Sequence, residues 1–168
     1  MAERIDVVMG NIVQQDVDAI VNAANESLLG GGGVDGAIHH AAGPKLLDEC
    51  EALDGCETGD ARITASYNLK ARHIIHTVGP VWKGGDQNED ELLTSCYKRS
   101  LEIALEYGIK SLAFPAISTG IYCFPLERAT RIATETVQAF LAGHDSIESV
   151  IFVCFDRPTY QAYRKFIH

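Results

Sequence analysis

The chain has 168 residues, 46% of them hydrophobic and 22% charged, with a formal net charge of −9; this predicts one domain over residues 1–168, large enough to bury a real core. The negative balance, with no Lys/Arg cluster to offset it, argues against a nucleic acid as the main ligand, and no apolar run approaches the ~20 residues of a membrane span. Five scattered cysteines without a C-x-x-C pair, and a start without an apolar leader, are read as a cytoplasmic, reducing setting with no zinc site.

Arg4 to Met9 reads as a strand, broken by Gly10-Asn11-Ile12, where Asn11 is by pattern a turn residue. Asp18 to Asn22 is short, apolar and β-branched, as in a buried central strand. It leads to Gly30–Gly33, four consecutive glycines, and then to a helix from about Val34 to Ala42. A glycine run carries a high entropic cost, and a backbone that must approach a ligand is the usual compensation. The helix start adds free N–H groups and a positive dipole end, so the stretch predicts an anion such as phosphate on Gly30–Gly33, with Asn22, Asn25, Asp35 and His39 around it. Asp35 and His39, four apart, share the loop-facing side.

Two familiar phosphate loops are excluded. Gly31 to Gly36 fits G-x-G-x-x-G only formally, since the strand ends about eight residues before the turn that a dinucleotide fold wants directly after it. Val34-Asp35 stands where a Walker loop needs Lys-Ser/Thr.

Gly43-Pro44 separates this helix from a second, with Leu46, Leu47, Cys50 and Leu53 inward. Arg62–Ala65 predicts a short edge strand and Arg72–Val78 a longer one, on which His73 and His76 face opposite ways; His76 is taken as a structural, hydrogen-bonded group. Trp82, in the Gly79–Gly85 loop, is assigned to packing. Asn88 with Glu91 resembles a capping box opening a helix that ends at Gly108. Leu112–Phe114 is another buried strand. It runs into a second small-residue loop, Pro115 to Pro125, where Ser118-Thr119-Gly120 ahead of a helix again suggests anion binding. Cys123 has no neighbouring base and is read as an inert thiol. A last strand, Ser149–Cys154, precedes Asp156, the expected cap of a final helix. Phe155 at its exit is either core or an aromatic platform for a base. Strands alternating with helices predict a three-layer α/β/α fold with a central mixed, largely parallel sheet, the direction of the first strand left open.

Five stretches resemble a known family: Asp18 to Asn25, Leu29 to His39, His76 to Trp82, Pro115 to Tyr122 and Phe152 to Asp156. In this order they are similar to MacroD-type macrodomains over essentially the whole chain. The resemblance implies an ADP-ribose-binding hydrolase that deacetylates O-acetyl-ADP-ribose and removes mono-ADP-ribose from acidic protein side chains. No cofactor or metal is implied. It further implies that Asn11 and Ile12 meet adenine, Phe155 packs on it beside Asp156, and Gly31, Gly32, Gly33 and Val34 form one phosphate loop. Ser118, Thr119, Gly120, Ile121 and Tyr122 form the other. Ala23 and Asn25 belong to the ligand site, and Asn25 and Asp35, helped by His39, carry catalysis at the distal ribose. The rival functions are a non-catalytic ADP-ribose reader and a regulatory module for RNA or protein.

The chain departs from the family at two positions. Asn11 stands where aspartate is usual, which lowers expected adenine selection by about 1 kcal/mol. Cys123 stands where glycine is frequent, which is strained if φ there is positive.

Overall fold

The computed structural model describes residues 4–120 and 122–167. Six strands form one sheet: β1 Ile5–Met9, β2 Ala19–Ala24, β3 Ala61–Ala65, β4 His73–Val78, β5 Ser111–Phe114 and β6 Ser149–Cys154. Five helices join them: α1 Gly33–Ala42, α2 Lys45–Leu53, α3 Glu89–Glu106, α4 Leu126–Ala142 and α5 Arg157–Phe166, with one 3-10 turn at Ile12–Gln14. The strand order is β1-β6-β5-β2-β4-β3. β1 pairs parallel with β6, which settles the open direction, and the antiparallel member is β3 on β4 at the far edge. Among the described residues, no helix is long and apolar enough to cross a membrane.

Side-chain alternation sorts the sheet into two cores. Ala19, Val21, Ile75, Leu112, Phe114 and Phe152 face α3, α4 and α5; Ile20, Ile74 and Ala113 face α1 and α2. On the first face Tyr97, Phe114, Phe152 and Tyr163 stack in series, with ring centroids 5.0, 6.0 and 4.7 Å apart. Each such pair adds ~0.5–1.5 kcal/mol beyond area burial. On the second face Ile38, Leu46 and Cys50 are fully covered. Leu47, expected inward, is exposed, because the α2 stripe is only as wide as Leu46 and Cys50.

The proposed capping box at Asn88 does not form. Asn88 has φ 61° and makes no side-chain cap bond. The buried Glu89 carboxylate instead accepts the backbone N–H groups of Lys83, Gly85 and Gln87, at 2.8, 3.0 and 2.6 Å, and so pins the preceding turn. Asp156 does cap its helix, accepting from Thr159 N at 2.9 Å. The parallel strands β1, β6, β5 and β2 all deliver their carboxyl ends to one side, where a crevice is expected in an open α/β sheet.

Candidate functional site

A cleft of about 560 Å³ opens at those strand ends. Its walls are the segments after β1, β2, β5 and β6, with Gly79 from the end of β4. Asn11, Ile12, Ala23, Asn25, Gly31, Gly32, Gly33, Val34, Asp35, Ser118, Thr119, Gly120, Tyr122, Phe155 and Asp156 all line it. Ile121 lies outside the described residues. His39 does not line the cleft; it sits behind the first loop, its ring 3.7 Å from where a Cβ on Gly30 would stand. The sequence reading passed over Gly10, Ala24, Ala37, Gly79, Pro115 to Ile117, Val153 and Thr159, which complete the wall. Most are small or apolar, and no local signal distinguishes such residues from core.

The glycine loop takes its shape from three features. Gly30 and Gly33 have φ of 94° and 58°, a region open to glycine at little cost. Asn25 Nδ2 donates to Gly30 O at 2.9 Å, and its Oδ1 accepts from Leu28 N at 3.1 Å and Ser27 Oγ at 2.7 Å. Gly36, in the first turn of α1, lies so close beneath the loop that a Cβ there would stand 2.4 Å from Gly31 O. Gly32 is the N-cap of α1, so the helix presents its unpaired N–H groups and dipole to the cleft. α4 contributes no lining residue. Of the two helix starts expected to favour an anion, that of α1 opens on the cleft, and the second stretch meets it through Ser118 to Gly120.

Asp35 is buried against the sheet. Its Oδ1 accepts from Asn22 Nδ2 at 2.9 Å and lies 3.4 Å from His39 Nε2, close enough for electrostatic attraction but not a directed hydrogen bond. Its Oδ2 faces the cleft beside Asn25: a Cβ on Gly31 would meet Asn25 Nδ2 at 3.4 Å and Asp35 Oδ2 at 3.5 Å. Burial raises the Asp35 carboxyl above its ordinary 3.8, and the Asn22 bond and the nearby His39 pull it back in part.

The opposite end of the cleft is apolar. Ile12 and Val153 are buried, and Phe155 is 85% exposed, so it stands on the rim of the cleft and is not core. Asn11 caps the 3-10 turn, its Oδ1 accepting from Val13 N at 3.1 Å. Trp82 packs on Phe124, with ring centroids 4.8 Å apart, away from the cleft. The second loop has φ of 68° at Ser118 and 61° at Cys123. The strain anticipated at Cys123 is therefore present. Gly79 allows this loop its position, because a Cβ there would stand 2.1 Å from Ser118 Oγ. No group of three or more His, Cys, Asp or Glu is placed to hold a metal among the described residues.

These features define a class: an α/β/α protein with a ligand cleft at the carboxyl ends of parallel strands, an anion-favouring helix start at one end and an exposed aromatic on the rim at the other. The family model of the Macro domain matches residues 21–133, and the chain belongs to that family. A Macro domain-containing protein of Methanosarcina mazei is 58% identical over 97% of this chain and 87% of its own length. A protein of Escherichia fergusonii named O-acetyl-ADP-ribose deacetylase is 52% identical over 99% of this chain and 97% of its own. The Trypanosoma brucei macrodomain in complex with ADP-ribose superposes with a TM-score of 0.94 at 43% identity, covering 100% of this chain and 72% of that one.

Proposed function

We propose that this chain binds ADP-ribose and hydrolyses its esters, deacetylating O-acetyl-ADP-ribose and releasing mono-ADP-ribose from acidic protein side chains. The observation that carries this reading is the Asp35 carboxylate, fixed from behind by Asn22 and turned by its Oδ2 toward Asn25 and the glycine loop. The name of one relative, O-acetyl-ADP-ribose deacetylase, and the ADP-ribose bound by a structural neighbour support it.

The base lies between Ile12 and Phe155, with Asn11 and Asp156 at its edge. The diphosphate lies on the N–H groups of Gly31 to Val34 and against Ser118 to Tyr122. The distal ribose then reaches Asn25 and Asp35. A water held by Asp35 Oδ2 attacks the ester carbonyl carbon and gives its proton to that oxygen. The carbonyl carbon–ribose oxygen bond breaks, the acyl group leaves as the free acid, and the ribose oxygen takes from Asp35 the proton it had accepted, which restores the carboxylate. Positioning supplies much of the acceleration, and proton transfer to Asp35 adds about 10²–10⁴-fold. Most of the cleft wall is neutral and small, so it binds the diphosphate through backbone dipoles rather than through cationic side chains.

Product chromatography after mixing O-acetyl-ADP-ribose with the protein tests this directly. The wild type is expected to yield ADP-ribose, and Asp35→Ala to be slower by at least about 10²-fold while still binding ADP-ribose by calorimetry. Equal turnover by the variant removes Asp35 from the chemistry. No turnover by a wild type that binds ADP-ribose makes the chain a reader.

A further inference from the structure

Behind Asp35 a line of side chains crosses three strands on the α1 side of the sheet. Asn22 Nδ2 on β2 lies 2.9 Å from Asp35 Oδ1 and 3.0 Å from Nδ1 of His76, its register partner on β4. His76 Nε2 lies 2.9 Å from Thr64 Oγ1 on β3, and that hydroxyl stands 3.0 Å from the Ala65 carbonyl. Asn22 and His76 are wholly buried and Thr64 nearly so.

The directions of these bonds follow from what each atom can donate. The Ala65 carbonyl only accepts, so the single Thr64 hydrogen goes to it and the Thr64 oxygen accepts from His76 Nε2–H. His76 is then neutral with Nδ1 bare, and Nδ1 takes one hydrogen of the Asn22 amide. The second amide hydrogen goes to Asp35 Oδ1. With the amide reversed, its oxygen meets both Asp35 Oδ1 and His76 Nδ1. That arrangement is consistent only with protons on both of those atoms. The imidazole tautomer and the face of Asn22 shown to Asp35 are therefore coupled.

We propose that His76 and Asn22 are positioning residues: the Nε2–H tautomer of His76, set by Thr64, locks the Asn22 amide so that its N–H holds Asp35 Oδ1 and leaves Oδ2 as the acceptor turned to the cleft. Burial, with the charge of His39 as the smaller cause, lowers His76 to about 3, so it stays neutral near neutral pH. The titratable groups that face Asp35 are His39 on its own helix, His76 from β4 through Asn22, and the Cys50 thiol from α2, within electrostatic reach; the 3-10 turn packed on α1 brings none. The Asn22 hydrogen bond offsets part of the desolvation of Asp35. Its removal favours the protonated acid, which cannot take a proton from water.

The inference rests on the reading of Asp35 as the carboxylate that handles water, but its test needs no turnover. In the full chain, the Asp35 carboxyl carbon and the His76 ring nitrogens are followed by NMR across pH. The wild type is expected to show a neutral Nε2–H imidazole at His76 from pH ~8 to ~4.5. Asn22→Leu is expected to raise the Asp35 midpoint by about one pH unit, a tenfold gain in proton affinity. His76→Leu shifts it the same way, and His76→Asn, which puts a carbonyl in place of Nδ1, restores it. A role in packing alone changes melting and leaves the midpoint in place. An Nδ1–H tautomer in the wild type, or an unmoved midpoint in folded Asn22→Leu, overturns the proposal; if the variants do not fold, the wild-type tautomer decides. Absence of hydrolysis together with the expected titrations removes the hydrolase reading alone.

Discussion

The two loops that wall the cleft leave neighbouring parallel strands, β2 and β5, and do so with different chemistry. Where the first borders the cleft it reaches positive φ at Gly30 and Gly33, which have no Cβ to strain, and its one left-handed side chain, Leu28 at φ 63°, is buried away from the cleft wall. The second does so at Ser118 and Cys123, where an L-residue costs roughly 1–2 kcal/mol each. The first loop is shaped from beneath, by Gly36 under Gly31 and by Asn25 clamping Gly30. The second is held from the side: Trp82 N donates to Tyr122 O at 2.8 Å, Phe124 N to Ser118 O at 2.9 Å, and the Arg128 guanidinium lies 5.0 Å over the Trp82 ring. The glycine run of the first wall is thus relaxed and tightly packed, with its one left-handed side chain buried behind it, whereas the second carries its strain at Ser118 and Cys123 and is propped. Strain of this kind persists only where the surroundings over-determine it.

The largest effect that would sharpen this contrast is at Gly36. Alanine ordinarily stabilises a helix over glycine by ~1 kcal/mol. Here its Cβ meets the Gly31 carbonyl at 2.4 Å, so Gly36→Ala is expected to cost about 3 kcal/mol in urea denaturation. An unchanged midpoint would break the view that the first loop is shaped by the helix below it. Next comes Gly31→Ala, whose Cβ fits at ordinary contact distance between Asn25 and Asp35. Stability should hold within about 0.5 kcal/mol, while turnover falls about tenfold as the methyl takes the place of the water. Loss of stability in step with activity would count against the assignment of that space.

On the strained side, Cys123→Gly is expected to gain about 0.5–1 kcal/mol, the left-handed penalty less the entropy of glycine. A loss instead would mean that the Cys123 side chain contributes more than its backbone costs. The smallest effect at neutral pH concerns Glu89, which holds the turn carrying Trp82. Burial raises its carboxyl, but the N–H groups of Lys83, Gly85 and Gln87 outweigh that and bring it to about 2, against an ordinary 4.5. A lowered folded value means stability that is full above pH 4.5 and is lost as pH falls toward 2. Glu89→Gln should flatten that acid limb in pH-dependent melting, and an unaltered limb would take Glu89 out of the support of the second loop.

Much of the site was legible because it is local. The glycine run between strand and helix, the i,i+4 pair Asp35 and His39, and the Asp156 cap are all set by neighbours in sequence, and the structure keeps the strand–helix alternation that they punctuate. The failures have local look-alikes. Asn88 and Glu91 spell a capping box, yet the turn ahead of α3 spends Glu89 on its own amides and leaves Asn88 left-handed. Leu47 shares the period of a buried stripe but meets no neighbour that covers it.

The sequence by itself determined the fold class, the glycine loop and which carboxylate faces it, because short-range periodicity and backbone freedom are properties of adjacent residues. Only the tertiary structure decided that Phe155 stands on the rim and is not core, that β3 runs against its neighbour, and that Thr64, His76 and Asn22 line up behind Asp35. The line depends on strand register. A slip of one residue on β4 would turn His76 to the other face of the sheet, and that register is held by hydrophobic burial on both faces rather than by any residue near Asp35.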